Sequence, residues 1–574
     1  MRALGRYLAV ISHLGPRQTA LNLLHRARQR TWLFGRYARP GRGLQWCGRV
    51  ATPLLSHAGG ASLDSGNLTA IGRTDVIGDP PYWDADTPLL WLFNLHYFGW
   101  LDALPHAEQR RLVLDWIERY PPSGARPGWR PYPLSLRLRH WARALFDGHG
   151  LAEQRPRVLA SLEAQAECLA DTLEHHLRGN HLLESGITLK LLAACLRGHA
   201  VSRWERLADR VLDIELTEQF LLDGGHFERS PMYHALLTHG LLDLVNLLPE
   251  EDEQRVRLVQ RLPGLLHFLA GLRHPDGEIA LFNDAAFGIA PEPGALLDYA
   301  TRLGLKASAF ASGSFPETGY HVWRRGGDAV MVDAGPIGPD YLSTHAHGDL
   351  FSYELSLDGR RVVVDGGTST YEEGDERAWV RSTRAHNTVE IAGADQCEFF
   401  GAFRVGRRGR PRDVTARVAE DGLHLSGWHD GYRRLRGRPA HHRELAFVPE
   451  GALAVWDTVD SPVRQEAVSR VRFPPGAQVT LSGEDGATIE AEGARLSLHA
   501  FGGGLSVEAG HYAPRFGERL ACPVLALRKG AGPQFGYVLS RRELEARIDA
   551  TCALVAGRPL PRRSRRPPGF GAGS

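Results

Sequence analysis

In the segment Thr344-His345-Ala346-His347-Gly348-Asp349, two imidazoles alternate by two, so an extended backbone points both to one face. Two further polar stops follow: Val364-Asp365-Gly366-Gly367, where an aspartate ends a valine run, and Arg384-Ala385-His386-Asn387-Thr388. His347, Asp365 and His386 could meet across adjacent strands as an N,N,O zinc site, with water as the fourth ligand. An isolated HxH pair is often incidental, but an aspartate and a third histidine in the elements that follow tip the reading toward a metal site.

Two earlier segments carry further chemistry. In Gly179-Asn180-His181-Leu182-Leu183-Glu184, Asn180 is placed to cap a helix whose apolar face runs through Leu183, Ile187 and Leu191. His181 and Glu184, three apart, share a face of its first turn. In the run from Asp223 to His234, Ser230 as N-cap and Pro231 at the first helical position predict a new helix with Tyr233 in its first turn. Alone, each is an ordinary helix start. The polar density of His226, Glu228 and Arg229 just before Tyr233 makes a pocket rim the better reading.

These groups need elements to hold them, and the hydrophobic period changes once along the chain. From about 95 to 310 apolar residues recur at helical spacing, as in Val158, Leu159, Leu162 and Ala166, which predicts a succession of amphipathic helices. From about 318 onward short alternating runs follow, including His321-Val322-Trp323, Ala329 to Val332, Phe351 to Leu357, Arg361 to Val364 and Thr388 to Ile391. Gly, Asp and Pro separate them, which predicts antiparallel sheets forming a sandwich. The fold class is α+β and multidomain: residues 1–75 an extension, 76–315 helical, 316–557 the sandwich, and 558–574 a disordered Arg/Pro/Gly-rich tail.

The chain has 574 residues, 43% hydrophobic and 23% charged, enough for a large core and more than one domain. A formal charge of +2 from 68 basic and 66 acidic residues is too even for a protein whose main partner is nucleic acid. Only Lys190, Lys306 and Lys529 are lysines; the other basic residues are arginines, whose planar forks bind carboxylates in pairs of hydrogen bonds. Six cysteines without a close pair imply neither a thiolate zinc knuckle nor a disulfide framework, and are expected as buried free thiols. The apolar stretch Leu8 to Ile11 is too short for a signal h-region or a membrane span.

Taken in order on these two architectures, the HAHGD, VVVDGG and RAHNTVEI stretches, with Asn180 and Tyr233 upstream, resemble the heparinase II/III family of polysaccharide lyases over residues 90–540. The resemblance implies an N-terminal (α/α) toroid of helical hairpins, a C-terminal antiparallel β-sandwich and a substrate groove between them. It implies that Asn180 or His181 with Glu184 neutralises a uronate carboxylate, that Tyr233 and His345 are the catalytic acid/base pair, and that His347, Asp365 and His386 bind a structural zinc ion. Phe93 to Tyr97 and Trp129 to Pro133 look like segments of members linked to bacterial surface-polysaccharide assembly. The family is largely exported, which implies a periplasmic or cell-envelope location; without a readable signal, a cytoplasmic one stays open.

The implied reaction is β-elimination on an acidic polysaccharide. The C5 proton of a uronic acid is poorly acidic beside a charged carboxylate, so that charge must be bound or neutralised, by Asn180, by Glu184 held protonated or by an arginine. A base then takes the proton and an acid serves the O4 leaving group; Tyr233 and His345 have suitable range if the cleft depresses the tyrosine pKa. Either could be the base. Two alternatives stand beside this. One is a zinc-containing glycoside hydrolase with Glu184, Glu228 and Asp349 as candidate carboxyls; the other is a non-catalytic polysaccharide-binding or assembly protein.

Arg137 and Arg139, in a run after an aromatic, Pro-rich turn, and Arg384 and Asn387 around His386 are the candidate substrate-binding positions. Activity on an acidic polymer is therefore expected to fall as salt screens these charges, and Arg384→Lys is expected to weaken turnover more than melting temperature. Salt-independent turnover together with a neutral Arg384→Lys variant would remove charge from substrate recognition.

Overall fold

The computed structural model describes His13, Gln18 and residues 31–38, 43–79, 81–146, 151–306, 309–449 and 451–541. Cys552 and the tail from 558 to 574 lie outside the described residues, as does the stretch Leu8 to Ile11. Nine α-helices among them precede the large sheets: α1 (Leu89–Tyr97), α2 (His106–Arg119), α3 (Pro131–Phe146), α4 (Arg155–Asp171), α5 (Asn180–Cys195), α6 (Val201–Gln219), α7 (Pro231–Leu247), α8 (Glu253–Gly271) and α9 (Pro293–Arg302).

The helices sort into layers by their sequences. α5 is apolar nearly all round, burying Leu182, Leu183, Ile187, Leu189, Leu191 and Leu192, as an inner helix must. It packs on α3, α6 and α7. α6 is amphipathic, burying Val201, Trp204, Ala208, Val211 and Leu212 while its other face is solvated. Gly186 permits the α5–α6 approach, because a Cβ there would come within 2.7 Å of Val211. The inner set α3, α5, α7, each hairpinned to an outer helix, forms the (α/α) toroid. No helix among the described residues is long and apolar enough to cross a membrane.

Three large antiparallel sheets follow among the described residues. A five-stranded sheet runs 360–363, 353–357, 328–333, 320–325, 313–315; a four-stranded sheet runs 389–391, 467–472, 520–529, 503–512; an eight-stranded sheet runs 411–419, 422–429, 440–448, 452–460, 534–540, 494–501, 486–491, 478–482. Their inward faces share one core, with Val330, Leu355 and Val363 meeting Leu445, Phe447, Ile489 and Leu525, which makes the unit a β-sandwich. A smaller cluster of Phe268, Leu272, Phe282, Phe315, Tyr320 and Met331 joins the end of α8 to the five-stranded sheet. This joint carries residues 283 and 284 against the sandwich. One expectation fails: Cys47 is exposed, while Cys168, Cys195, Cys397 and Cys522 are buried free thiols. Cys47 follows the short, partly exposed strand Gln45–Trp46.

Inside the sandwich Arg443 and Asp457 form a fully buried ion pair (Nε–Oδ1 2.8 Å, Nη2–Oδ2 2.9 Å), and Arg443 also donates to the Phe351 and Asn387 carbonyls. Burial raises the Asp457 carboxyl, but Arg443 and His441 outweigh it and hold the group well below the usual range. Stability from a depressed carboxyl is complete above its unfolded value of about 4 and is lost as pH falls through the folded value. The acid limb of thermal stability is therefore expected to flatten in Asp457→Asn, with lower stability already at neutral pH; an unchanged acid limb would contradict the assignment.

Candidate active site

The site forms where the N-terminal ends of α5 and α7 face the loops of the sandwich. Ser230 caps α7, its hydroxyl accepting from the Tyr233 amide (3.3 Å), with Pro231 at the first helical position, so Tyr233 stands in the first turn. The Tyr233 and His345 rings lie 4.2 Å apart between centroids, and the Tyr233 hydroxyl meets that of Tyr371 at 3.1 Å. Glu228 ties the third group in: its Oε2 accepts from Asn180 Nδ2 at 2.9 Å and stands 3.3 Å from His345 Nε2, while its Oε1 accepts from the Asn180 amide at 2.9 Å.

Asp284 is the hub of the arrangement. One oxygen meets His345 Nδ1 (2.9 Å) and the other His347 Nε2 (2.8 Å), and the Arg377 guanidinium donates to both (2.5 and 2.7 Å). Arg377 lies on α10 (Asp375–Arg381) and is itself buried. Burial raises the Asp284 carboxyl, but Arg377, His345 and His347 outweigh it and hold it well below the usual range. Asn283, at φ 56 in the left-handed region, accepts the His347 amide at Oδ1 (3.1 Å) and donates its own amide to Asp349 (3.0 Å). The 283–284 turn and the HAHGD loop thus fix each other.

Three comparisons with known proteins bear on this arrangement. Residues 109–289 match the heparinase II/III N-terminus model, and residues 308–534 match the heparinase II/III-like C-terminal model. The chain belongs to the heparinase II/III family of polysaccharide lyases. It is 27% identical over 355 residues to a heparin-sulfate lyase of Pedobacter heparinus, a match covering 53% of this chain and 52% of that protein, about half its length. A heparin-sulfate lyase of Bacteroides stercoris is 23% identical over 495 residues, 73% of this chain and 70% of that one. A solved structure of heparinase III superposes with a TM-score of 0.66 at 16% identity, covering 81% of this chain and 80% of that one, and so shares the fold.

Within this heparinase II/III fold, several expected positions take other parts. Asn180 is not the cap of α5: Gly179 is, and the Asn180 side chain turns to Glu228 because that carboxylate lies at the helix end. His181 and Glu184 take different partners: His181 binds Glu174 (3.0 Å) and stacks on Tyr132 (centroids 4.1 Å), whereas Glu184 is ion-paired to Arg139 (2.7 Å). Nor does the cleft depress the tyrosine. Burial pushes Tyr233 well above its ordinary value and the neighbouring Tyr371 adds to that, so the phenol is neutral.

Arg137 does not reach the groove. It is fully buried, bound to Gln165 and to the carbonyls of His96 and Gly128, with its guanidinium 4.1 Å from the Trp116 ring centroid. Asn387 is likewise structural, its amide donating to the Tyr353 and Val364 carbonyls and accepting from the Arg472 amide. Arg139 borders the cleft but is already held by Glu184 and Asp243, and Arg384 is exposed. Asp284, Arg377 and Tyr371 were not expected; only the Asn-Asp pair ending the Ile279 to Phe282 run hinted at a loop with chemistry.

The expected zinc donors lie together. His386 Nδ1 is 3.0 Å from both Asp365 oxygens, and the His347 and His386 rings are 5.2 Å apart. His347 Nδ1 and His386 Nε2 are buried without a hydrogen-bond partner. As placed, no three His, Cys, Asp or Glu donors among the described residues converge on a point for a metal. The donor types and the two orphaned nitrogens nonetheless fit zinc, since neutral imidazole and carboxylate are its common ligands.

Asp284→Asn leaves the Arg377 guanidinium buried without its charge partner, and is expected to lower stability by about 3–5 kcal/mol in denaturant unfolding. The double change Asp284→Asn with Arg377→Met should recover part of that loss; no recovery would mean that the ion pair is not what holds the site.

Proposed function

We propose that the protein cleaves a uronate-containing acidic polysaccharide by β-elimination. The observation that carries this reading is the contact of the Tyr233 phenol with the His345 imidazole at a helix N-terminus that presents Asn180, a set that proton removal and return require and a binding surface does not. The relatives named as heparin-sulfate lyases support it.

In this mechanism the substrate carboxylate takes the place of Glu228 at the α5 N-terminus, where the Asn180 amide and the helix dipole then stabilise the enolate-like charge. His345 is the base. Its Nδ1–H is held by Asp284 at 2.9 Å, which orients the ring, and Nε2 takes the C5 proton once substrate replaces the Glu228 contact. Tyr233, kept neutral by burial, gives its proton to O4 as the C4–O4 bond breaks and the C4–C5 double bond forms. Arg377 and Asp284 stay paired throughout.

His347, Asp365 and His386 are the residues that would hold zinc. Bound there, it would tie the HAHGD loop to the strand ends behind it and serve structure, not proton transfer. The orphaned nitrogens of His347 and His386 support this.

Tyr233→Phe and His345→Ala are each expected to cut the rate of ultraviolet-absorbing product from acidic polysaccharides at least ~100-fold with little change in melting temperature. His347→Ala should also lower the melting temperature and the zinc content measured by elemental analysis. Retained turnover in Tyr233→Phe would remove it from the mechanism. Equal melting temperatures of His345→Ala and His347→Ala in zinc-replete buffer would contradict the division of roles.

A further inference from the structure

The toroid holds a cavity of ≈ 130 Å³ that begins beside Tyr233 and runs inward. Its lining descends along α3 through Tyr132, Arg139, His140 and Arg143, and along α7 through Tyr233, Leu236 and His239. The rise from Tyr233 to His239 is ~9 Å at ~1.5 Å per helical residue.

At that depth the cavity ends against a strap formed by residues 52–59. Asn246 grips Thr52 both ways, donating to its carbonyl (2.7 Å) and accepting its amide (3.4 Å). The Leu55 carbonyl accepts from Arg143 and from His239 Nε2 (3.0 Å), and His57 Nε2 donates to the Ile289 carbonyl (3.0 Å). The Ala58 carbonyl lies so close to Gly99 that a Cβ there would stand 2.6 Å from it. A polymer passing Tyr233 meets backbone fastened to α3 and α7, and cannot thread through.

The inner wall is polar but balanced in charge. Arg139 is paired with Glu184 and Asp243, and Arg143 faces Asp243 (3.5 Å) and Asp102 (3.8 Å). Burial lowers the His57, His140 and His239 imidazoles, so they are uncharged at neutral pH. His140 and His239 line the wall, and Tyr97 and Tyr132 supply its aromatic surface. Both guanidiniums being paired, a sulfate entering here would lose water without gaining a free cation, whereas a sugar ring can lie against the tyrosines and hydrogen-bond to the neutral imidazoles of the wall.

We propose that this cavity is a blind subsite for the terminal sugar of the polymer, an unsulfated ring bearing hydroxyl or acetamido groups, and that the protein works from a chain end. The identity of the polymer rests on the lyase reading; the blind geometry does not. The test is calorimetric titration of Tyr233→Phe with unsulfated chains of alternating glucuronate and N-acetylglucosamine, in a short and a long fraction.

One protein per chain is expected at both lengths, and His140→Phe added to that variant should weaken binding roughly tenfold, the scale of one hydrogen bond at a buried group. Stoichiometry that rises with chain length, or no binding, would overturn the subsite. Equal affinity for a chain sulfated on its terminal ring would overturn the neutral-sugar assignment. The wild-type digest separates this claim from the lyase reading. Ultraviolet-absorbing products of mixed length from the outset contradict chain-end action and leave elimination standing. One protein per chain with no such product from any polymer does the reverse.

Discussion

Asp284, with no exposed side-chain surface, accepts from Arg377, His345 and His347 at once. A carboxylate taken so far out of water survives as a charge only because a guanidinium meets both of its oxygens. That requirement fixes the geometry around it. The toroid supplies Asp284, the sandwich supplies the histidines, and α10 supplies the arginine, so the site is assembled only when all three are docked. His345 is oriented toward Tyr233 by this bond, and His347 is turned so that its other nitrogen faces the region of His386.

The sequence made some of this legible and hid the rest for physical reasons. The change from helical to alternating periodicity located the two architectures because each buries one face at its own period. Ser230 and Pro231 marked the start of α7 through local backbone chemistry, and Tyr233 followed. Asp284 left almost no local signal, since its partners lie more than sixty positions away in the chain and only the fold brings them together. Asn180 was misread for a similar reason: a long-range carboxylate, Glu228, outcompeted the capping role that its sequence position offered. The arginines were harder still. Arg137 and Arg139 are two residues apart on one helix, yet one is stacked on Trp116 in the interior and the other stands at the cleft. A chain whose basic residues are nearly all arginine uses them as structural donors to carbonyls as readily as for substrate.

The two ends of the cleft differ in electrostatic character, which bears on how a polyanion could be held. The end at Tyr233 and His345 gathers a helix N-terminus, Asn180 with its partner Glu228, and a histidine bound to an ionised aspartate, the groups that the proposed elimination would use. The inner end pairs its arginines internally and keeps its imidazoles neutral. The proposed placement, a uronate at the first and an uncharged ring at the second, would match the alternation of acidic and neutral sugars found in many uronate polymers.

Elimination and hydrolysis differ in whether an atom of water enters the product, so mass spectrometry of a digest run in heavy-oxygen water tests the central claim most directly. The account predicts fragments that carry an unsaturated uronate and no heavy oxygen. Fragments that incorporate heavy oxygen at the new chain end, without unsaturation, would show hydrolysis and contradict it.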